Sequence, residues 1–187
     1  PETDVVELAG GGIDTVQSSF MSVSLADKVN LEHVTLFGDY NINATGNALA
    51  NTLTGNDGHN SLDGGAGNDI IYSQGNDMGA TEIVHGGAGN DTIYVNGFTA
   101  SGNYGSYVYG DDGNDTLDAS VGDVQSGLYG GTGNDTLSGG NGSDTYVFGA
   151  GDGGDTNTEA GDSSADTLRI EGYALSQIRF GALGDDL

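Results

Sequence analysis

The sequence predicts an all-β chain wound as a parallel solenoid, and three observations carry that prediction. A nine-residue pattern, Gly-Gly-x-Gly-x-Asp-x-U-x with U apolar, occupies 64 to 72 and returns at 86 to 94, 110 to 118, 130 to 138 and 139 to 147. A fixed short period means stacked units that cannot bury an apolar face alone. The first six residues are largely glycine, as tight turns with positive φ require, and the last three can form only a short strand, whose alternation points U alone inward. Finally, with 36 glycines among 187 residues and 35% hydrophobic content, the chain cannot build a broad packed core.

Read in order, Ala9 to Gln17 is one imperfect copy, and 20 to 36 follows with Val23, Leu25, Val29, Leu31, Val34 and Leu36 at strand-like spacing. Gly46 to Thr54 and Gly55 to Asp63 set the register, with Asn51 and Asn60 where later copies carry Asp. Residues 1–43 are expected to be an irregular β cap at the N-terminal end. This end should need fewer cations, its Asn side chains stacking and bonding to the turn backbone. The solenoid proper is expected over 44–158. Its U residues, beginning with Val16 in the imperfect first copy, continue as Leu53, Leu62, Ile71, Val84, Ile93, Val108, Leu117, Leu128, Leu137 and Tyr146. Two nonapeptides per coil place Leu53, Ile71, Ile93, Leu117 and Leu137 in one sheet and Leu62, Val84, Val108, Leu128 and Tyr146 in the other. Residues 159–187 are expected to be a C-terminal β cap, with 167 to 170 and 178 to 180 as an antiparallel, hairpin-like pair.

The two halves of each coil differ. Turns leading into the first sheet keep Asp69, Asp91, Asp115 and Asp135, whereas those leading into the second carry Asn60, Glu82, Ser106 and Ser126 and recover only at Asp144. Extra residues fall at 73 to 83, 95 to 107 and 119 to 127, always on the way to the second sheet. One cation-lined edge and one edge of longer, irregular loops follow.

Charge indicates what the strict edge holds. With 28 acidic residues against Lys28, Arg169 and Arg179, the formal net charge is −25, and a compact chain would repel itself. Calcium suits glycine turns, because it takes 6 to 8 oxygen ligands from carboxylates and carbonyls. The quoted nonapeptides resemble RTX, or haemolysin-type, calcium-binding repeats, and degenerate copies extend the likeness over roughly two thirds of the chain. The resemblance implies a right-handed parallel β-roll with each ion between two stacked turns, held by the position-six Asp of both and by neighbouring carbonyls.

Carried onto this chain, the expected metal residues are Gly64, Gly65, Gly67 and Asp69; Gly86, Gly87, Gly89 and Asp91; Gly110, Asp111, Gly113 and Asp115; and Gly130, Gly131, Gly133 and Asp135. At least three Ca²⁺ sites are expected, between the Asp69 and Asp91, Asp91 and Asp115, and Asp115 and Asp135 turns. A fourth would use Asp152 and Asp155 in the turn Gly151 to Asp155, against Asn157 at the U position of that coil. On the loop edge, Asp123 and Asp144 would share an ion.

Other classes are disfavoured. No cysteine is present for a disulfide framework, and no apolar run spans a membrane. The negative charge opposes nucleic-acid binding. Neither a Gly-x-Ser-x-Gly elbow nor His-Glu-x-x-His occurs; His33, His59 and His85 are scattered, and the acids sit in turns rather than in a cleft. The Asn-Asp-Thr triplets at 90, 114 and 134 follow from the repeat. A non-catalytic module is expected, and the chain, opening on Pro1 without a signal peptide, is read as part of a larger polypeptide.

The family resemblance further implies secretion from a Gram-negative bacterium by a type I system, with folding on meeting extracellular Ca²⁺. The alternative is an adhesin-type module that recognises a glycan or protein through its loop edge or through stacked tyrosines, Tyr72 with Tyr94 and Tyr109 with Tyr129. Cross-strand stacking that merely stabilises the sheet is the plainer reading of those pairs.

Overall fold

The computed structural model describes Leu8 and residues 10–75, 81–96, 105–121, 125–159 and 164–174. Strands alternate between two sheets of eight, odd-numbered strands in one and even-numbered in the other. The first sheet holds β1 (Thr15–Ser18), β3 (His33–Leu36), β5 (Thr52–Thr54), β7 (Ile70–Ser73), β9 (Thr92–Asn96), β11 (Thr116–Val121), β13 (Thr136–Ser138) and β15 (Thr156–Thr158). The second holds β2 (Val23–Ser24), β4 (Ala44–Thr45), β6 (Ser61–Ala66), β8 (Ile83–Ala88), β10 (Gly105–Asp112), β12 (Gln125–Thr132), β14 (Thr145–Phe148) and β16 (Thr167–Ile170). Every pairing between named strands is parallel. The chain is thus a β-solenoid, and no helix among the described residues is long and apolar enough to cross a membrane.

Register follows the U positions. Val16, Val34, Leu53, Ile71, Ile93, Leu117, Leu137 and Asn157 lie in one file. Val23, Ala44, Leu62, Val84, Val108, Leu128, Tyr146 and Leu168 form the other. Between Val34 and Leu137 the first file is 0% exposed. The core also has inward positions that the nonapeptide does not predict: Ser73, Val95 and Ala119, two residues past U, are buried because the strand continues there before the chain leaves for the longer loops.

The flanks are more regular than composition implies. Strands β1 to β4 already stack in the same two sheets, Leu25, Leu31 and Ile42 fill the core between them, and Val29 is exposed rather than part of a strand. At the far end, β15 forms although its U residue is Asn157, which is exposed where the stack runs out. The expected antiparallel pair is corrected at its first member: Thr167–Ile170 joins the second sheet parallel to β14, since Leu168 falls in register with Tyr146. Its expected partner at 178 to 180 lies outside the described residues.

Because each strand adds little apolar area, single core deletions should be felt strongly in the middle and weakly at the end. Ile93→Ala is expected to cost about 2–5 kcal/mol in calcium-saturated denaturant unfolding. Leu168→Ala, at a residue already 49% exposed, should cost well under half of that.

Candidate metal centre

The turns entering the first sheet are built by glycine for two reasons. At position four, Gly67, Gly89, Gly113 and Gly133 have φ between 116° and 148°, a region other residues avoid. A Cβ on Gly89, Gly113 or Gly133 would also collide with the position-four carbonyl of the coil before. At position one the constraint is space: a Cβ on Gly64 would strike Asp69 Oδ2 and the Gly86 carbonyl, and Gly86 and Gly110 meet the same pair of groups one and two coils on. An Asp carboxylate oxygen and a carbonyl of the next coil therefore border one small cradle beside each of these glycines.

The position-six carboxylates link the coils. Oδ1 of Asp69 accepts the Asn51 amide N–H at 2.6 Å, and Oδ1 of Asp91, Asp115, Asp135 and Asp155 accept the N–H of Asp69 (2.7 Å), Asp91 (2.8 Å), Asp115 (2.8 Å) and Asp135 (3.0 Å). Outside this row, Asn68, Asn90, Asn114 and Asn134 bond in the opposite sense, each Oδ1 accepting an N–H of the following coil at 2.8–2.9 Å. The two ladders lock successive coils from both directions.

Oδ1 is satisfied; Oδ2 is not. Asp69, Asp91, Asp115 and Asp135 are at most 2% exposed, and the Oδ2 of each is buried without a hydrogen-bond partner. Burial pushes the Asp69 and Asp115 carboxyls up to about 7, against the pull of the N–H each accepts, and neighbouring aspartates add to the rise. Asp91, Asp135 and Asp155 are raised for the same first cause. A line of buried, half-bonded carboxylates is costly on its own. The donors in the cradles are all oxygen, carboxylate and carbonyl, which fits a hard divalent cation of the calcium kind. Such a cation supplies positive charge to Oδ2 and relieves the repulsion along the row.

The earlier coils meet the same geometry with amides. Asn47 and Asn51, at positions two and six of one turn, donate Nδ2–H to the coil before: Asn47 to the Lys28 and Leu31 carbonyls at 2.8 Å, Asn51 to Glu32 at 3.0 Å. Asn56 and Asn60 repeat this with the Tyr40 carbonyl at 2.9 Å and Ile42 at 2.7 Å. These Asn side chains thus bond to the backbone of the preceding coil, as their repeat positions led one to expect, and no oxygen of the four is orphaned.

On the other edge the row is broken. Glu82 Oε1 accepts the Asn60 N–H at 3.1 Å and Oε2 accepts the Ser73 hydroxyl at 3.3 Å, while burial pushes the carboxyl up to about 7. Ser106 and Ser126 are buried. Asp144 accepts from Ser126 N at 2.7 Å and from Gly140 N at 3.1 Å, so it lacks the free oxygen of its first-edge counterparts. Its own N–H donates to Asp166 Oδ1 at 3.0 Å, and carboxylate oxygens of Asp144, Glu159 and Asp166 lie within 4.8 Å of one another.

Several expected residues are placed differently from the Asp row. Asp123, the expected partner of Asp144, lies outside the described residues. Asp166 takes that place on the next coil. Its signal was present in Gly161 to Arg169, which keeps Gly at position one, Asp at six and Leu168 at U. Glu159, which accepts the Tyr146 hydroxyl, has no repeat position to announce it. Asp111, at φ 71° the one non-glycine residue with positive φ among those described, turns its carboxylate outward to His85 Nδ1 at 2.9 Å. Only its backbone faces the neighbouring turn, its carbonyl lying against Gly131. Asp152 accepts the Gly149 N–H, and Asp155 extends the Asp row by one coil.

A family model, the RTX calcium-binding nonapeptide repeat, matches the chain in four copies at residues 45–77, 79–97, 101–124 and 128–156. No curated protein and no solved structure matches.

Glu82 sets a pH dependence separate from the cradles. Its folded pKa is raised from 4.5 to about 7, so the stability it contributes is present below pH 4.5 and is lost as pH rises through 7. Glu82→Gln keeps both bonds, since Ser73 Oγ can accept as well as donate. In saturating calcium the variant should gain stability over the parent at pH 8, by at most about 3 kcal/mol, with the difference vanishing near pH 4.5 in thermal unfolding.

Proposed function

The chain belongs to the RTX calcium-binding nonapeptide repeat family, and from that premise we propose that it is a non-catalytic module whose folding is driven by calcium. The observation that carries the proposal is the row of buried Oδ2 atoms on Asp69, Asp91, Asp115 and Asp135. Each cradle between consecutive turns would hold one ion: Asp69 with Asp91, Asp91 with Asp115, and Asp115 with Asp135, joined by carbonyls of the turns Gly64 to Gly67, Gly86 to Gly89, Gly110 to Gly113 and Gly130 to Gly133. The bond from Asp135 N to Asp155 Oδ1 supports a fourth cradle with the turn that carries Asp152 and Asp155.

The ligands come together only in the folded chain, so ion binding free energy becomes folding free energy. Extracellular calcium modules bind with dissociation constants of about 10⁻⁴ to 10⁻³ M. RTX repeats are typical of secreted bacterial proteins. A chain that stays open where calcium is scarce and winds up where it is millimolar suits export in an unfolded state, here by a type I system of a Gram-negative cell, as part of a larger polypeptide. The Asn-bonded coils around Asn47 to Asn60 would serve as the cap from which the calcium-dependent coils are laid down.

Calcium titration followed by circular dichroism, hydrodynamic radius and amide hydrogen exchange is the direct test. The chain should be expanded in chelator, with residual protection confined to the Asn coils, and should become compact and β-rich cooperatively. A chain already compact in chelator would overturn the proposal. Asp91→Ala and Asp115→Ala each remove a ligand from two cradles, so both should shift the midpoint and flatten the transition more than Asp144→Ala; equal effects would defeat the shared-turn assignment.

A further inference from the structure

The outer face of the second sheet carries a notch that calcium binding does not use. Tyr107, Gly127 and Thr145 are successive neighbours across β10, β12 and β14, and all three point outward. Gly127 therefore leaves a gap in a column of side chains. The flanking rings lean over it: a Cβ placed on Gly127 would meet Tyr129 at 3.2 Å and Tyr107 at 3.4 Å, so two rings stand over bare backbone and wall the gap. The resulting cavity of about 310 Å³ is bounded by Tyr107, Gln125, Gly127, Tyr129, Thr145 and Arg169.

Its walls are braced by contacts between side chains. His85, Tyr109 and Tyr129 stack in one file, with centroids 4.5 Å apart at both steps. Arg169, one of three basic side chains in the whole chain, lies 5.7 Å from the centre of the Tyr129 ring and is anchored through Nε to Glu171 at 2.8 Å. That anchor leaves the terminal guanidinium N–H groups as donors. Ser126 lies between Gln125 and Gly127 but faces inward, so the polar groups of the wall are those of Gln125, Thr145 and Arg169.

We propose that the notch binds one pyranose ring of a neutral saccharide. The exposed ring of Tyr107 offers flat apolar contact to the C–H face of a sugar, Tyr129, stacked between Tyr109 and Arg169, offers its edge, and Gln125, Thr145 and Arg169 offer the donors and acceptors that hydroxyls need. Charge narrows the class from both sides. Arg169 in the wall opposes a cationic ligand, and the −25 formal charge of the chain repels polyanions such as uronates or nucleic acid. The volume suits a single ring rather than a peptide segment. The site needs the folded solenoid but no particular assignment of ions.

The test is a nuclear magnetic resonance titration of the calcium-loaded full chain with glucose, galactose, mannose, N-acetylglucosamine and their short oligomers, and with uronate oligomers. Saturable shifts of the Tyr107, Gly127 and Tyr129 amides are expected with at least one neutral sugar and not with uronates. Gly127→Val, which fills the gap with a strand-compatible side chain, and Tyr107→Ala should each weaken that binding about tenfold. Circular dichroism in calcium should stay unchanged in at least the Tyr107 variant, which removes only an exposed ring. Absence of saturable shifts with every neutral sugar, binding undiminished in both variants, or preference for uronates would each overturn the proposal while leaving the calcium titration intact.

Discussion

The structure depends on a carboxylate placed at the sixth residue of each first-edge turn, buried, and bonded through only one of its oxygens. Oδ1 reaches back to the amide of the previous coil, which spaces and orients the turns; Oδ2 is left facing a glycine cradle. Nearly every other feature of that edge follows. Glycine at position one is there because a side chain would fill the cradle, and glycine at position four because the coils approach too closely for a Cβ. The thin core can stack because the turns add their own inter-coil bonds to those of the two parallel sheets.

Three chemical solutions to the same geometric problem run along one chain. Asn47, Asn51, Asn56 and Asn60 point an N–H at the preceding carbonyls and need nothing further. Asp69, Asp91, Asp115 and Asp135 instead accept an amide N–H of the preceding coil through Oδ1 and leave Oδ2 buried and unpartnered beside the position-one glycine, a costly arrangement on its own. Glu82 is long enough to bring its second oxygen to Ser73, trading a cation for a hydroxyl. Asn at positions two and six thus gives a coil whose side-chain oxygens are all bonded, whereas Asp at six without Asn at two leaves one oxygen buried and unpartnered. The ordering from Asn to Asp along the chain gives the solenoid a direction.

The edges also divide labour. Strict register on the first edge leaves no room for variation, since any insertion would break the ladder of Asp and Asn bonds. The opposite edge, freed of that ladder by Ser106 and Ser126, tolerates longer connections, and the outer face of its sheet can be shaped by single substitutions such as glycine at 127. The calcium and saccharide sites proposed above would thus draw on different residues of the same repeat.

What the sequence determined by itself is the coil. The nonapeptide period sets strand positions, the two U files and their register from Leu53 to Tyr146, the identity of the Asp row, and the expected asymmetry of the edges, because these depend only on spacing and on which residues a tight turn admits. Even Asp166 was legible in Gly161 to Arg169, masked by its lost glycines. Tertiary structure decided what spacing cannot express. Which oxygen of each Asp is satisfied depends on the neighbouring coil, as does the outward turn of Asp111 toward His85. Glu159 meets Asp144 through the path of the chain between strands, and Thr167–Ile170 lies parallel because Leu168 finds Tyr146 beneath it. The notch at Gly127 exists only because three coils bring Tyr107, Tyr129 and Arg169 around one missing side chain.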